Sequence, residues 1–299
     1  MTTLILSPLF KLLVSLHLLC YSGYSFAYEG EETTVQDSSM QPSCIPPYKG
    51  YESTCIYPRC KYLSGYGDGT RIEGYYSQDR LALTSSDVID NFVFGCSENN
   101  TGLFNEFEED GIIGLAQHPL SIVYQTAKKH HKIFSYCLPS KTEVGFLRFG
   151  VNGKRLPIPS SLFAKAGAII DSGTTTSRLP PEIYKPFRDR YRKAMSKYKF
   201  VDPKYVDSDY DIFDTCHSLG HQKAFKIPRI SFLFSGGVSV DIPVSSITYN
   251  STIACFAFSG KPFTGVAFNI IWGEYQQRTL EVEYDLGKGR LGFGYGACK

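Results

Sequence analysis

The sequence predicts a mainly β protein with two β-rich halves that meet near residue 150. Short runs rich in Tyr, Phe, Ile and Val recur between Gly and Pro residues, whereas only one extended stretch has helical periodicity. The 299 residues, of which 42% are hydrophobic, supply enough apolar material for one large or two medium domains. A strand-rich chain of this length is therefore expected to form two packed β lobes.

Strand patterns lie in both halves of the chain. In the first half they fall at residues 80–83, 91–94 and 145–149, and in the second half at 230–234 and 280–284. Residues 111–115 form an apolar segment bracketed by glycines, a composition that indicates close backbone approach rather than a plain strand.

Residues 181–199 carry the helical pattern. Apolar positions recur three or four residues apart, at Tyr184, Phe187, Tyr191, Met195 and Tyr198. Basic residues cover the other faces: Lys185, Arg188, Arg192, Lys193 and Lys197. A nucleic-acid-binding or membrane-binding helix is the alternative, but a solvated face is favoured. Because proline breaks the hydrogen-bond ladder of a helix interior, Pro186 is expected in the first turn.

The N-terminus resembles a secretory signal. An apolar run at residues 4–20 is interrupted by Lys11, and Ser25 and Ala27 place small residues at −3 and −1 before Tyr28. We predict a signal peptide at 1–27 and a flexible polar leader at 28–43, and hence secretion. A membrane anchor is disfavoured, because the apolar stretch after Lys11 is too short to span a bilayer.

Cysteine usage agrees with secretion. Of nine cysteines, eight remain once Cys20 is removed with the signal, and an even number favours disulfides over zinc despite the spacing of Cys55 and Cys60. Asn-x-Ser/Thr sequons occur at Asn99 and Asn250. The net charge of +2 gives no reason to expect a nucleic-acid partner, and neither a metal nor a cofactor is expected.

The chemistry of the chain is indicated by Asp171-Ser172-Gly173. Three apolar residues lead into Asp171 and Thr174 follows the glycine, a pattern typical of a buried strand that delivers one carboxylate to a tight turn. A surface Asx turn is the alternative reading. Aspartic proteases build their active site from two such turns, one in each lobe.

A second Asp-Thr/Ser-Gly triplet does not occur in the sequence. Asp214-Thr215 is followed by Cys216, and Asp207-Ser208 is followed by Asp209. The sequence thus contains one of the two turns that this chemistry requires.

Further motifs resemble the plant pepsin-like aspartic proteases of the nepenthesin and chloroplast-nucleoid-protease-like group. Matching segments are distributed over nearly the whole chain after residue 44. They lie at residues 66–70, 92–104, 110–122, 134–139, 168–184, 276–285 and 289–298. The resemblance implies a bilobal pepsin-like acid protease fold, with an incomplete N-terminal lobe at 44–150 and a C-terminal lobe at 151–299.

In this family two carboxylates share one proton across a water, because like charges so close cannot both ionise. The resemblance implies that Asp171 is the C-lobe aspartate. Ser172 would tie the two turns together, and Thr174 would hydrogen-bond the outer oxygen of Asp171. Tyr66, Gly67, Asp68 and Gly69 would form the flap over a polypeptide substrate or protein partner in the cleft of a monomer.

Three departures from the family pattern stand out. The N-lobe Asp-Thr-Gly turn should lie upstream of the Cys44–Cys60 cluster and is missing there. Only twenty residues separate Gly150 from Asp171, where the family inserts further strands. A Gly-Asn pair normally follows two Ile residues, whereas here Ile270-Ile271 lead into Trp272-Gly273-Glu274-Tyr275. The last departure is expected to disturb the loop beneath the Asp171 turn.

For the cysteines, the resemblance implies the pairs Cys216–Cys255 and Cys137–Cys298. The usual partner of Cys96 belongs to the missing segment. The pairing of Cys44, Cys55, Cys60 and Cys96 is left open by the sequence.

The sequence therefore predicts an aspartic-type endopeptidase family member that is impaired because half of its aspartate pair is missing. Activity would require a second carboxylate. Its supply by a second copy of the chain is disfavoured, because the remaining N-lobe would obstruct the approach of two Asp171 turns. The alternatives are a non-catalytic secreted binding or inhibitor-like protein, and a non-functional fragment.

Overall fold

The structure is a computed structural model, and it is mainly β. It describes residues 2–6, 52–56, 59–66, 69–84, 86–102, 112–139, 145–150, 156–159, 168–203, 213–220, 226–234, 238–244, 252–260 and 270–295. The described residues fall into two compact units that divide between Lys128 and Lys129. Most of the strand at residues 2–6 belongs with the second unit.

In the unit that ends at Lys128, four antiparallel strands form a meander. Their order in the sheet is their order in the chain: β2 (Glu52–Ile56), β3 (Arg59–Gly65), β4 (Arg71–Thr84) and β5 (Asp87–Thr101). The register of β4 against β5 shifts at three places, which lets these long strands bend. The strands predicted at 80–83 and 91–94 lie within this hairpin, so both predictions are confirmed.

After this meander the chain continues through short helices. Residues 112–115 lie outside any strand, as expected for the glycine-bracketed segment. Helix α1 (Ile122–Gln125) is capped by the Ser121 side chain, which accepts a hydrogen bond from the amide of Tyr124. Helix α2 (Ala127–His130) follows it directly.

The second unit is organised around a six-stranded sheet. Its order is β1 (Thr2–Leu6), β7 (Gly145–Phe149), β6 (Ile133–Cys137), β18 (Leu280–Asp285), β19 (Arg290–Tyr295) and β8 (Leu156–Pro159). The strands predicted at 145–149 and 280–284 are confirmed. The edge strand β1 lies inside the segment predicted as a signal peptide, whose cleavage stays a prediction.

Three smaller sheets complete this unit. The four-stranded one has the order β16 (Phe258–Ser259), β10 (Ser177–Arg178), β17 (Ile270–Trp272) and β9 (Ala168–Ile170). The three-stranded one is β11 (Lys199–Val201), β12 (Cys216–Ser218) and β15 (Ile253–Cys255). The two-stranded one is β13 (Ser231–Leu233), within the predicted 230–234, and β14 (Ser239–Asp241).

The predicted helix is present but shorter than expected. Helix α3 spans Pro181–Ala194, and β11 begins at Lys199, so the prediction of helix to residue 199 is wrong. Pro186 also lies one turn deeper than predicted, inside the helix. The ring of Pro186 is exposed and so lies away from the packed face, although a proline there still removes one hydrogen bond of the helix.

Aromatic packing holds α3 against the sheets. Tyr184, Phe187 and Tyr191 all contact Phe256, with ring centroids 4.8 to 5.9 Å apart. Arg188 reaches Asp214 at 3.1 Å. The basic faces are therefore partly used in anchoring the helix, and Lys185 and Lys193 remain exposed. None of the helices in the described part of the chain has the length and apolar character needed to cross a membrane.

Candidate active site

Asp171 lies where strand β9 ends. Strand β9 pairs in parallel with β17, so that Ile170 is opposite Trp272. The amide of Asp171 donates to the carbonyl of Trp272 at 3.0 Å, which extends the pairing one residue beyond the strand. The residues of β9 are half-buried, less than the fully buried strand that the sequence predicted. Asp171 itself is half-buried at this edge.

Both carboxylate oxygens of Asp171 accept hydrogen bonds within the turn. The amide of Gly173 donates to Oδ1 at 2.8 Å, and the hydroxyl of Thr174 donates to Oδ2 at 2.6 Å. The bond from Thr174 has the geometry that the resemblance implied. Such bonds fix the orientation of the carboxylate group. The turn therefore presents one oriented carboxylate.

The loop beneath this turn is intact. Strand β17 ends at Trp272, and Gly273 follows it with its amide donating to Ser177 Oγ at 2.9 Å. The amides of Glu274 and Tyr275 then donate to the carbonyls of Thr174 and Thr175, at 2.7 and 3.0 Å. The expectation that Trp272–Tyr275 would disturb this loop is wrong, because Trp272 serves as the last residue of the strand and Gly273 supplies the glycine that the crossing needs.

Helix α4 (Glu274–Gln277) places two buried glutamines beneath the turn. Gln276 accepts from the amide of Ser177 at 3.0 Å and donates to the carbonyl of Ala257 at 2.8 Å. Gln277 donates to the carbonyl of Trp272 at 2.8 Å and accepts from the hydroxyl of Tyr136. In the sequence, this Gln pair stands out only as part of the family motif at residues 276–285. The sequence does show two adjacent amide side chains shortly before an apolar strand, and this pattern could have indicated a buried hydrogen-bond network.

The buried Tyr136 and the half-buried Tyr284 lie within electrostatic range of Asp171. Burial raises the pKa of Tyr136 well above its ordinary value, and the charges of Tyr284 and Asp171 act in the same direction. Burial likewise raises the pKa of Tyr284, with Asp171 again contributing. Both hydroxyls are therefore neutral throughout the acid and neutral pH range.

The predicted flap belongs to the other unit and forms a hairpin turn between β3 and β4. The amide of Tyr66 donates to the carbonyl of Thr70 at 2.9 Å, and Gly69 has a φ of +89°, a conformation that favours glycine. The side chain of Tyr66 is 41% exposed. Gly67 and Asp68 lie outside the described residues.

The disulfide predictions have different outcomes. Cys216 and Cys255 are directly opposite in neighbouring strands and form a disulfide, as the resemblance implied. Cys137 and Cys96 are also disulfide-bonded. Their partners are not among the described side chains, and Cys298 and Cys44 lie outside the described residues. Cys55 and Cys60 are opposite each other in the β2–β3 pair.

Of the two sequons, Asn99 is exposed on β5, and Asn250 lies outside the described residues. Within the described part of the chain, no group of three or more His, Cys, Asp or Glu residues is arranged to hold a metal ion.

Comparison with known proteins gives the family. A family model described as the xylanase inhibitor N-terminal domain matches residues 25–151, and one described as the xylanase inhibitor C-terminal domain matches residues 144–295. An aspartyl protease family protein from Arabidopsis thaliana is 38% identical over 317 residues, which cover 93% of this chain. The aspartyl protease AED1, also from Arabidopsis thaliana, is 34% identical over 317 residues and 93% of this chain. The matched regions cover 65% and 66% of the length of these two relatives.

A solved structure agrees with these matches. Basic 7S globulin from soybean superposes with a TM-score of 0.64 at 17% identity, covering 83% of this chain and 81% of that one. At this identity the likeness shows a shared pepsin-like fold. Together with the Asp171 turn and the loop that crosses beneath it, these matches show that the chain belongs to the plant pepsin-like aspartyl protease family.

Proposed function

We propose that this chain carries one half of an aspartic endopeptidase site, with Asp171 as its aspartate, and that it cleaves peptide bonds poorly by itself. The observation that carries the proposal is the Asp171 turn. Its carboxylate is oriented by Gly173 and Thr174 and its backbone is held by Trp272. One oriented carboxylate can accept a proton from water, which is the step that begins peptide hydrolysis in this family.

The impairment follows from the chemistry of the pair. One carboxylate acts as base toward the water while its protonated partner polarises the scissile carbonyl. The sequence contains a single Asp-Thr/Ser-Gly triplet, at Asp171. General acid–base assistance contributes about 10² to 10⁴-fold to a rate, and members of a catalytic unit act together, so losing one partner removes most of this gain.

A polypeptide is the proposed ligand. Relatives named aspartyl proteases support a peptide substrate. We further propose that the chain is secreted, on the basis of its apolar N-terminus, its cysteine count and its exposed sequon at Asn99.

A second candidate function is binding without catalysis. Two observations favour it: the single triplet, and the match of both halves of the chain to domains described as xylanase inhibitor. Such a protein would keep a cleft that holds a protein partner. Inhibition of a xylanase by the purified chain, at stoichiometric concentrations, would favour this function.

The test of the first proposal is proteolysis of denatured globin at acidic pH, with and without pepstatin. The unmodified chain should give little or no pepstatin-sensitive cleavage, and Asp171→Asn should change nothing measurable. Efficient cleavage by the unmodified chain that is lost in Asp171→Asn would contradict the impairment, because it would require a second carboxylate. Asp68 and Asp110, which lie in N-lobe motifs, would then be substituted first.

A further inference from the structure

The two glutamines of α4 have separate tasks although they are adjacent. Both are fully buried, with 0% of the residue exposed. Gln276 connects Ser177 on β10 to Ala257, which precedes β16. Gln277 connects Trp272 on β17 to Tyr136 on β6. Gln277 bonds directly to the carbonyl that accepts from the Asp171 amide, whereas Gln276 reaches the same peptide only through Ser177, whose hydroxyl accepts from the amide of Gly273.

The carbonyl of Trp272 receives two hydrogen bonds. The amide of Asp171 donates to it at 3.0 Å, and the Gln277 side chain donates to it at 2.8 Å. A carbonyl oxygen has two lone pairs, so both bonds can form together. Because the Gln277 bond fixes the peptide plane of Trp272, it also fixes the direction in which that carbonyl meets Asp171.

The side chain of Gln277 is itself held in one orientation. Its carbonyl oxygen accepts from the hydroxyl of Tyr136, which is 3% exposed. An amide that rotated by half a turn would point its NH₂ group at that hydroxyl and its oxygen at the Trp272 carbonyl, and the latter contact joins two acceptors. Because a hydroxyl can either donate or accept, the Trp272 carbonyl determines which way the Gln277 amide points, and the Tyr136 hydroxyl then holds the side chain by donating to its oxygen.

We propose that Gln277, held by the Tyr136 hydroxyl, is the positioning residue of the Asp171 turn, and that Gln276 supports this turn only indirectly. The inference deepens the proposed function, since it assigns the support of the proposed catalytic aspartate. Its test measures the backbone of Asp171 and not proteolysis, so it can fail or succeed whatever the activity of the chain.

The measurement is hydrogen exchange of the Asp171 amide, followed by NMR on the ¹⁵N-labelled chain and expressed as a protection factor. Gln277→Leu should lower the protection factor of this amide about two- to tenfold, the effect of losing a typical buried hydrogen bond. Gln276→Leu is the matched control, because it removes an equally buried glutamine from the same helix. It should lower the protection factor of the Asp171 amide clearly less than Gln277→Leu does, because it acts on the Trp272–Gly273 peptide only through Ser177. The emission of Trp272, the single tryptophan, checks that each variant is folded.

A conservative variant separates positioning from packing. In Gln277→Glu, the ionised side chain has no donor for the Trp272 carbonyl, whereas the protonated side chain has one O–H donor and can still accept from Tyr136. Glutamic acid ordinarily titrates near pH 4.3, and burial raises this value. The protection factor of the Asp171 amide should therefore be low at pH 7 and recover toward that of the unmodified chain near pH 4. Gln277→Leu should show no recovery.

Equal loss of protection in Gln276→Leu and Gln277→Leu would overturn the proposal, as would a Gln277→Glu variant whose protection does not depend on pH. Tyr136→Phe provides the same test if Gln277→Leu fails to fold. It removes one hydroxyl, keeps the glutamine, and should also lower protection about two- to tenfold. An unchanged protection factor in Tyr136→Phe would contradict the role assigned to that hydroxyl.

Discussion

At Gly273 the chain passes beneath the Asp171 turn with no room for a side chain. A Cβ built there would lie 2.6 Å from the carbonyl carbon of Thr176, 2.7 Å from the carbonyl oxygen of Thr174 and 2.8 Å from the amide of Ser177. All three atoms are backbone, so they cannot move aside as a flexible side chain could. The close approach is what allows the amides of Glu274 and Tyr275 to bind the turn.

We therefore expect Gly273→Ala to destabilise this unit by about 1–3 kcal/mol, the usual cost of overpacking a well-packed site. Gly287→Ala is a suitable control, because a Cβ at Gly287 would meet its nearest atoms at the ordinary distances of 3.5 and 3.6 Å. Urea unfolding followed by Trp272 emission would measure both variants. Equal midpoints for Gly273→Ala and the unmodified chain would show that the turn can adjust.

His217 is a buried histidine that connects stability to pH. Its ring lies edge-on to Tyr191 and Phe200, and only 4% of the residue is exposed. Among the described residues, its Nδ1 atom has no hydrogen-bond partner. Burial lowers the pKa of His217 below its ordinary value of 6.5, and the nearby Arg192 cation lowers it further. The neutral ring is thus the form that the fold favours.

The unfolded chain consequently binds more protons than the folded chain below pH 6.5. The stability contributed by neutral His217 is present above that pH and decreases as the pH falls toward the lowered folded-state pKa. We expect the free energy of unfolding to fall less steeply between pH 7 and pH 5 in His217→Phe than in the unmodified chain. Parallel profiles for the two proteins, from urea titrations at each pH, would refute this.

Among individual residues, the sequence predicted those whose side chains have a recognisable chemical role. Asp171 and Thr174 were singled out because an apolar run precedes the Asp-Ser-Gly triplet and because the surrounding motifs resemble the family, and the hydrogen bond between them is present. The role of Gly273 was missed, because the family motif has its glycine directly after the two Ile residues, one position earlier than in this chain. Gln277 was missed since an amide side chain shows its importance only when its two partners, which come from distant parts of the chain, are seen.

Helix α3 contains a proline at a position where most other residues would make the helix more stable. Pro186 lies in the helix interior, with an exposed side chain. A proline there removes one hydrogen bond of the helix and crowds the preceding turn, which destabilises the folded chain. It also restricts the conformations of the unfolded chain, and this effect offsets part of the lost stability.

We expect Pro186→Ala to raise the stability of this unit by about 1–2 kcal/mol, less than the full helix-interior penalty of about 3 kcal/mol. Lys185→Ala, at the exposed neighbouring position, should change stability little. Thermal unfolding monitored by circular dichroism would compare them. A lower midpoint for Pro186→Ala would indicate that the proline ring packs in a way that the helix needs.

The three-stranded sheet is connected covalently as well as by hydrogen bonds. Cys216 on β12 and Cys255 on β15 are 39 residues apart in the chain, and their disulfide closes that loop. Both residues are almost completely buried, at 0% and 1% exposure, within a cluster that includes Phe213, Ala257 and Tyr275.

Replacing both cysteines by alanine should lower the free energy of unfolding by about 2–4 kcal/mol, since a disulfide of this loop length restricts the unfolded chain. Peptide mapping without reduction would check the pairing in purified protein. A free thiol at Cys216 would contradict it.

At the level of elements, the strands were predicted well and the helix end was not. Strands are marked by short apolar runs between turn residues, and five of these runs lie in or on strands of the structure. The helix ends at Ala194 although the apolar spacing continues to Tyr198. Met195 and Tyr198 are buried from a turn rather than from a helix, which periodicity alone cannot distinguish.

On the scale of the whole molecule, the pepsin-like fold is retained in a chain whose matched region covers about two thirds of its aspartyl protease relatives. The fold was predictable because several family motifs occur in order along the chain. The support beneath Asp171 is complete in the unit that contains it, and that support comes from β17, α4 and β6. A turn so supported is expected to function whenever a second carboxylate faces it.

The most direct test of this account is to supply that carboxylate. The segment bearing the Asp-Thr-Gly turn of a full-length aspartyl protease relative would be inserted before residue 44, and pepstatin-sensitive cleavage of denatured globin would be measured at acidic pH. We predict that activity appears, that Asp171→Asn abolishes it, and that the control Asp189→Asn, an exposed carboxylate on α3, leaves it unchanged. Activity that persists in Asp171→Asn, or a folded chimera that binds pepstatin but cleaves nothing, would contradict the claim that Asp171 is a competent aspartate lacking only its partner.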